Sequence, residues 1–212
     1  MVTLICLTEC SCTYRRPTKS NIPKDIKALE SSSDYRKRAL AALNLQLVGV
    51  DAKEAIPALI VALEDDYVIV RIEAARAIGV IDSEGKAAKA LGNSLIKDSD
   101  PRVREAAATA LMNLGTKAKE VTPDLITALK DNDLWVKMYA AAALGEIGPE
   151  RGVVEALISL LDVGYINDSN YYGVRAAAVN ALAKFGIAAA PALPILEEIN
   201  ERDAVARITA AM

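Results

Sequence analysis

Residues 71–78 read RIEAARAI, and the same phrase returns as REAAATAL at 104–111, KMYAAAAL at 137–144 and RAAAVNAL at 175–182. Looser copies stand at 38–45 (RALAALNL) and 207–212 (RITAAM). The leading basic residues are separated by 33, 33, 33, 38 and 32 positions. Self-similarity at a period of roughly 20 to 50 residues marks a stack of supersecondary units, because one unit cannot bury its apolar face alone and its neighbours must cover it. In such a stack, chemistry or binding has to be sought on the surface.

Counted from the basic residue, positions −1, +3, +6, +7 and +10 fall on one face at about 100° per residue. They carry Val, Ala, Ala, Leu or Ile, and a last apolar residue, which predicts a buried stripe. Gly49, Gly115, Gly148 and Gly186 stand eleven residues past the basic position, where a left-handed residue ends a helix. A second, leucine-bearing helix begins 19 residues after each basic residue: PALIVAL at 57, ALGNSLI at 90, PDLITAL at 123, ALISLLD at 156 and PILEEIN at 194. Proline is tolerated in a helix's first turn, so Pro57, Pro101, Pro123 and Pro194 mark starts. The alternation predicts an all-α solenoid, a superhelix of about five helix pairs over residues 22–212, with residues 1–21 as a separate tail.

Composition agrees with this reading. The 212 residues are 52% hydrophobic but 4% aromatic, as suits helices packed through small side chains. A formal charge of −3 supplies no basic footprint for phosphate backbones, so no nucleic-acid partner is expected. No apolar run approaches the length of about 18 that spans a bilayer, so no integral membrane segment is expected. Cys6, Cys10 and Cys12 all lie in the tail, leaving the repeats without a disulfide framework. Their C-x3-C-x-C spacing offers three ligands where structural zinc needs four. Leu7-Thr8-Glu9-Cys10 approaches a lipoprotein cleavage box, but Glu9 stands where a small residue belongs and the basic leader is missing. The expectation is a disordered tail on a cytoplasmic protein, with membrane anchoring through Cys10 as the alternative.

The chain has no histidine, which removes Ser-His-Asp and Cys-His nucleophile systems and His-x3-His zinc sites. Gly79-VIDSE-Gly85-Lys86-Ala87 approaches a phosphate loop, but it is one residue too long and lacks the Ser or Thr that meets magnesium. The acidic runs Glu64-Asp65-Asp66 and Glu197-Glu198 read as solvated turns. No catalytic residue, metal or cofactor is expected.

Two sets of side chains remain. Asp34, Asp100, Asp133 and Asp203 each precede a basic residue by four positions and read as helix N-caps. Stacking would also set them beside basic residues of neighbouring repeats, as a charged ladder of Arg71, Asp100, Arg104, Asp133, Lys137 and Arg175. The outward positions −2, +1, +2 and +5 are Arg102, Glu105, Ala106 and Thr109 in one repeat and Trp135, Met138, Tyr139 and Ala142 in the next. The second set has the composition of an interaction hot spot. Five extra residues before Arg175 place Tyr165, Tyr171 and Tyr172 nearby, Tyr171 standing where the −4 aspartate would be. The candidate partner-binding patch is therefore Trp135, Met138, Tyr139, Tyr165, Tyr171 and Tyr172. Its alternative is local packing, with Trp135 a lid on a turn and the tyrosines covering the longer loop.

From Pro57 to Gly79 and from Pro123 to Gly145 the chain roughly follows Pro-x-Leu-x-x-Leu, with the second leucine one place later at Leu63 and Leu129, then Asp, then Val-Arg-x-x-Ala-Ala-x-Ala-Leu-Gly, with Ile78 and Lys137 as variants. This resembles the HEAT repeats, in the short form found in phycobilin lyase subunits and many bacterial repeat proteins, over about residues 34–212. The resemblance implies an armadillo-like helical solenoid whose basic-phrase helices line the concave side. It also implies a non-catalytic scaffold or adaptor that grips a protein partner there; the alternative is a bilin lyase or lyase-like chaperone for phycobiliproteins. The last copy of the phrase stops at Met212, before its +7 residue, so the final repeat reads as incomplete and open to further repeats or a subunit.

Overall fold

In the computed structural model, residues 17–161 and 169–199 are described, with side chains from residue 172 onward in the second stretch. Leucine-bearing helices α1 (Ile22–Ser31), α3 (Ile56–Ala62), α5 (Ala88–Lys97), α7 (Thr122–Ala128) and α9 (Val153–Ile158) alternate with α2 (Tyr35–Val48), α4 (Val68–Ile81), α6 (Pro101–Leu114), α8 (Leu134–Ile147) and α10 (Ser169–Lys184). A further helical segment covers 193–199, and the described residues contain no strand. Each adjacent pair packs together as one repeat. Between repeats the helices α2, α4, α6, α8 and α10 meet along their lengths, whereas the leucine helices touch each other much less. The basic-phrase helices thus form the more extensively packed layer, the one that the HEAT resemblance sets on the concave side.

Small side chains make that layer possible. The predicted stripe is buried in full in α4 (Val70, Ala74, Ala77, Ile78, Ile81), in α6 and in α8. It is also wider than predicted, because Ala75, Ala108 and Ala141 at +4 are buried as well. α4, α6 and α8 are each flanked on two sides by their own kind and backed by a leucine helix, so three directions must be filled. Gly79 and Gly145 mark the closest approaches. A Cβ on Gly79 would lie 2.8 Å from the Ala110 Cα, and one on Gly145 would lie 2.9 Å from the Ala181 Cβ.

Gly49, Gly115, Gly148 and Gly186 end their helices with φ of +76°, +54°, +113° and +55°. From Gly49, Gly115 and Gly186 a 3₁₀ segment leads to the next leucine helix (Gly49–Ala55, Gly115–Val121, Gly186–Ala192). In the backing layer Leu59, Leu91, Leu125 and Leu157 occupy one repeated slot and are fully buried. Each such burial is worth about 1.5 to 3 kcal/mol.

The first pair breaks this grammar. Asp25 fills the leucine slot and Asn44 fills the +6 position held by Ala77, Ala110, Ala143 and Ala181. The Asn44 amide donates to Asp25 Oδ1 at 3.2 Å, while Oδ2 is buried with no hydrogen-bond partner among the described residues.

Candidate interaction surface

A ladder of arginines and aspartates runs along the ends of the repeats. Arg38 forks its Nε and Nη2 onto Asp65 at 2.6 and 2.9 Å, Arg71 onto Asp98 at 2.7 and 3.0 Å, and Arg104 onto Asp131 at 2.8 and 2.9 Å. The third nitrogen, Nη1, donates to the carbonyls of Ser32, Asp65 and Asp98 respectively. Asp65 and Asp98 thus each join two arginines, one through the side chain and one through the backbone. The amides of Tyr67, Asp100 and Asp133 complete the three carboxylates at 2.9, 2.9 and 2.8 Å.

The acids of this ladder are not the predicted ones. They lie six residues before the next basic residue, not four, so Asp100 and Asp133 are not its rungs. Those two turn back onto their own helices as N-caps, Asp100 accepting from the Arg102 amide at 2.9 Å and Asp133 from the Trp135 and Val136 amides at 2.9 and 3.1 Å. Asp34 does the same for Arg36. Asp65 is likewise no solvated acid. Burial works against its charge and that of Asp131, but the arginine fork and the backbone amide outweigh burial and hold both pKa values below the usual carboxylate range. On Asp100 the Arg102 guanidinium, which also forks onto it, lowers the pKa to about 2. Counting 27 residues on from Lys137 reaches Gly164, outside the described residues. Arg175 places its guanidinium over the Tyr172 ring, 5.1 Å from the centroid.

The aromatic patch is assembled on α8. Trp135 is 56% exposed and stacks on Tyr139 with ring centroids 6.4 Å apart. Met138 and Tyr139, expected on the open face, are half-buried against the core, since the concave helices stand close enough for side chains to reach across. Ala106 is buried for the same reason. A groove of about 610 Å³ opens between α6, α8 and α10, walled by Met112, Met138, Tyr139, Gly173, Ala177 and Asn180 among others. It exists because large side chains on α8 face glycine and alanines on α10; a Cβ on Gly173 would lie 3.3 Å from the Met138 sulfur. A second hollow, about 490 Å³, lies beside it with Ile69, Arg76, Arg102, Glu105 and Thr109 on its walls, and Tyr139 borders both. Tyr172 is 61% exposed on α10 beside Arg175 and does not wall the groove. Tyr165 and the Tyr171 side chain lie outside the described residues, as do Cys6, Cys10 and Cys12. Met112, Gly173, Ala177 and Asn180 were missed, although the −2, +1, +2, +5 rule applied to α10 names Gly173, Ala176, Ala177 and Asn180.

The loop that approached a phosphate cradle is filled by the chain itself. Asp82 replaces the helix-ending glycine and is buried; its Oδ1 accepts from the Glu84 and Gly85 amides at 3.2 and 2.9 Å, and its Oδ2 from Ala87 at 2.7 Å. Amides that would meet a phosphate already hold a carboxylate. Among the described residues no group of three or more His, Cys, Asp or Glu is placed to hold a metal ion, and no helix is long and apolar enough to cross a membrane.

No curated protein matches this sequence. Among solved structures, the complex of CpcE and CpcF of phycocyanin lyase from Nostoc sp. PCC7120 is 21% identical, with 76% of this chain and 98% of that one covered and a TM-score of 0.58. Computationally designed armadillo repeat proteins for modular peptide recognition are similar at 23% identity, covering 84% of this chain and 91% of theirs, with a TM-score of 0.62. The karyopherin Kap121p bound to the extreme C-terminus of the phosphatase Cdc14p is 17% identical with a TM-score of 0.68; 89% of this chain is covered, which amounts to 22% of the karyopherin. At these identities the likeness is one of fold. The family model of HEAT repeats matches residues 22–112, 56–132, 88–165 and 122–212. With that match unbroken from residue 22 to residue 212, the chain belongs to the HEAT-repeat family.

Proposed function

We propose that this chain is a non-catalytic scaffold that holds a protein partner on its concave layer, in the groove between α6, α8 and α10. The carrying observation is the groove itself, where Met112, Met138 and Tyr139 face the small side chains of α10 across about 610 Å³. Apolar hollows with aromatic and methionine walls gain most from a partner that displaces their water. The exposed Trp135, stacked on a groove wall, extends the same surface. The ladder is a structural framework in this reading and takes no part in binding.

The single tryptophan reports on the surface directly. Its emission should be red-shifted and readily quenched by iodide. Trp135→Ala should leave stability within about 0.5 kcal/mol of the parent and weaken a captured partner by about 1 to 2 kcal/mol or more. Capture unchanged in both Trp135→Ala and Tyr139→Ala would refute the site. The likeness to the CpcE–CpcF complex, which extends over 98% of that chain, supports a second reading as a bilin lyase or lyase-like chaperone. A change in phycocyanobilin absorption on mixing would favour it, and an unchanged spectrum would count against it.

A further inference from the structure

The charges around the groove narrow its occupant, on the reading that the concave layer binds a protein. Its cations are already committed: Arg76 to Glu73 at 3.0 Å, Arg102 to Asp100 at 2.8 Å, and Lys184 to Glu146. Glu105, half-buried on α6, walls the second hollow, and its carboxylate makes no ion pair or hydrogen bond among the described residues. The surface therefore offers an apolar hollow and, next to it across Tyr139, one carboxylate without a counter-charge. Neighbouring helices pack about 8 to 10 Å apart, which an extended chain covers in about three residues at roughly 3.3 Å each. Asn180, exposed in the groove, adds an amide able both to donate to and to accept from an extended backbone.

We infer that the groove takes an extended peptide segment of the partner, with a Leu, Met or Phe side chain in the hollow between α6, α8 and α10 and a Lys or Arg two or three residues away whose cation meets Glu105. An acidic segment would find Arg76, Arg102 and Lys184 each already in an ion pair and would meet repulsion at Glu105.

A phage-displayed library of random 12-residue peptides, panned on the intact chain, tests this. Enriched sequences should pair an apolar with a basic residue at that spacing. A fluorescein-labelled copy of one should bind Glu105→Lys at least about 10-fold more weakly and Glu105→Gln about 3- to 10-fold more weakly. Replacing the peptide's basic residue by Glu should abolish binding, and added salt should weaken it. Peptides that bind Glu105→Lys and Glu105→Gln as tightly as the parent, yet are lost with Tyr139→Ala, overturn this inference and leave the scaffold reading standing. Peptides indifferent to Tyr139→Ala and Met138→Lys, a library with no groove-dependent binder, or a groove occupied by a second copy of the chain in concentration-dependent dimers, overturn both.

Discussion

Arg104→Ala removes one rung of the ladder, and the structure sets its cost. Exposed ion pairs are worth about 0.2 to 1 kcal/mol, whereas stripping one partner from a buried pair costs about 3 to 5. The Arg104 and Asp131 side chains are 16% and 11% exposed, and the fork is bidentate with a further bond to the Asp98 carbonyl. The expected loss is therefore about 2 to 4 kcal/mol, above the roughly 0.5 to 2 that a screened pair would give. Urea unfolding with a constant m-value measures it. A double-mutant cycle of Arg104→Ala with Asp131→Ala should show coupling of about 1 to 3 kcal/mol, because each single change strands the other charge. Asp133→Ala should instead cost about 0.5 to 2 kcal/mol for its lost cap and couple to Arg104 more weakly than Asp131 does, since it acts on Arg104 by charge alone. Additivity within about 0.5 kcal/mol for the Arg104–Asp131 cycle, or stronger coupling to Asp133 than to Asp131, would refute the assignment of the rungs.

The lowered pKa values of Asp65 and Asp131 make stability depend on pH: their contribution is present above the unfolded value of about 3.9 and is lost as pH falls through the lower folded values. The urea midpoint should hold from pH 7 to about 5 and fall below about 4, less steeply in Asp65→Asn/Asp131→Asn, and an identical fall would exclude these groups as its source. Asp25→Leu should raise stability by about 1 to 3 kcal/mol, since it fills a slot that is leucine in four other repeats and removes an unpartnered buried oxygen, against about 0.3 to 1 kcal/mol for an acid lost from a helix N-terminus and about 0.5 to 1.5 for the lost Asn44 bond. A lower melting temperature would show that the carboxylate has a role the repeat pattern does not supply. Gly79→Ala gains about 1 kcal/mol in helix propensity but drives a Cβ to 2.8 Å from the Ala110 backbone, costing about 1 to 3, so a net loss is expected and a more stable variant would deny the close approach of α4 and α6.

The buried stripe was legible because one helical face repeats at fixed offsets, and burial admits few residue types. The glycine ends were legible because a positive φ stops four of the helices at +11 and favours glycine there, whereas α4 ends on Asp82 with φ of −80° and gave no such signal. The ladder was half legible: the arginines stood out, but the acids at −6 and −4 are both aspartates with the same 33-residue period, and sequence does not say which one an arginine of the preceding repeat can reach. Asp65, Asp98 and Asp131 lie at the turn beside that arginine, whereas Asp100 and Asp133 are drawn to the free amides of their own helices. The groove was legible on only one of its walls. Bulky residues on α8 draw attention, while the space they face is made by what α10 lacks.

The repeats differ from one another at some positions and agree at others. Positions −1, +3 and +7 of α4, α6, α8 and α10 hold Val, Ala, and Leu or Ile throughout, because each must fit the same gap between the same two neighbours. Positions +1, +2 and +5 change from Ile72, Glu73 and Arg76 to Glu105, Ala106 and Thr109, then to Met138, Tyr139 and Ala142, and finally to Ala176, Ala177 and Asn180. These positions are less constrained than the stripe, although Ile72 and Ala106 are buried and Met138 and Tyr139 half-buried, and they vary between repeats without unmaking the stack. A groove forms where one repeat's bulky choice adjoins the next repeat's small one, at α8 and α10. The charge beside it comes from the repeat before, where Glu105 on α6 makes no ion pair among the described residues. On the proposed reading, specificity would be a property of three consecutive repeats together, and altering these positions in any one of them would change the surface while leaving the solenoid's core and ladder in place.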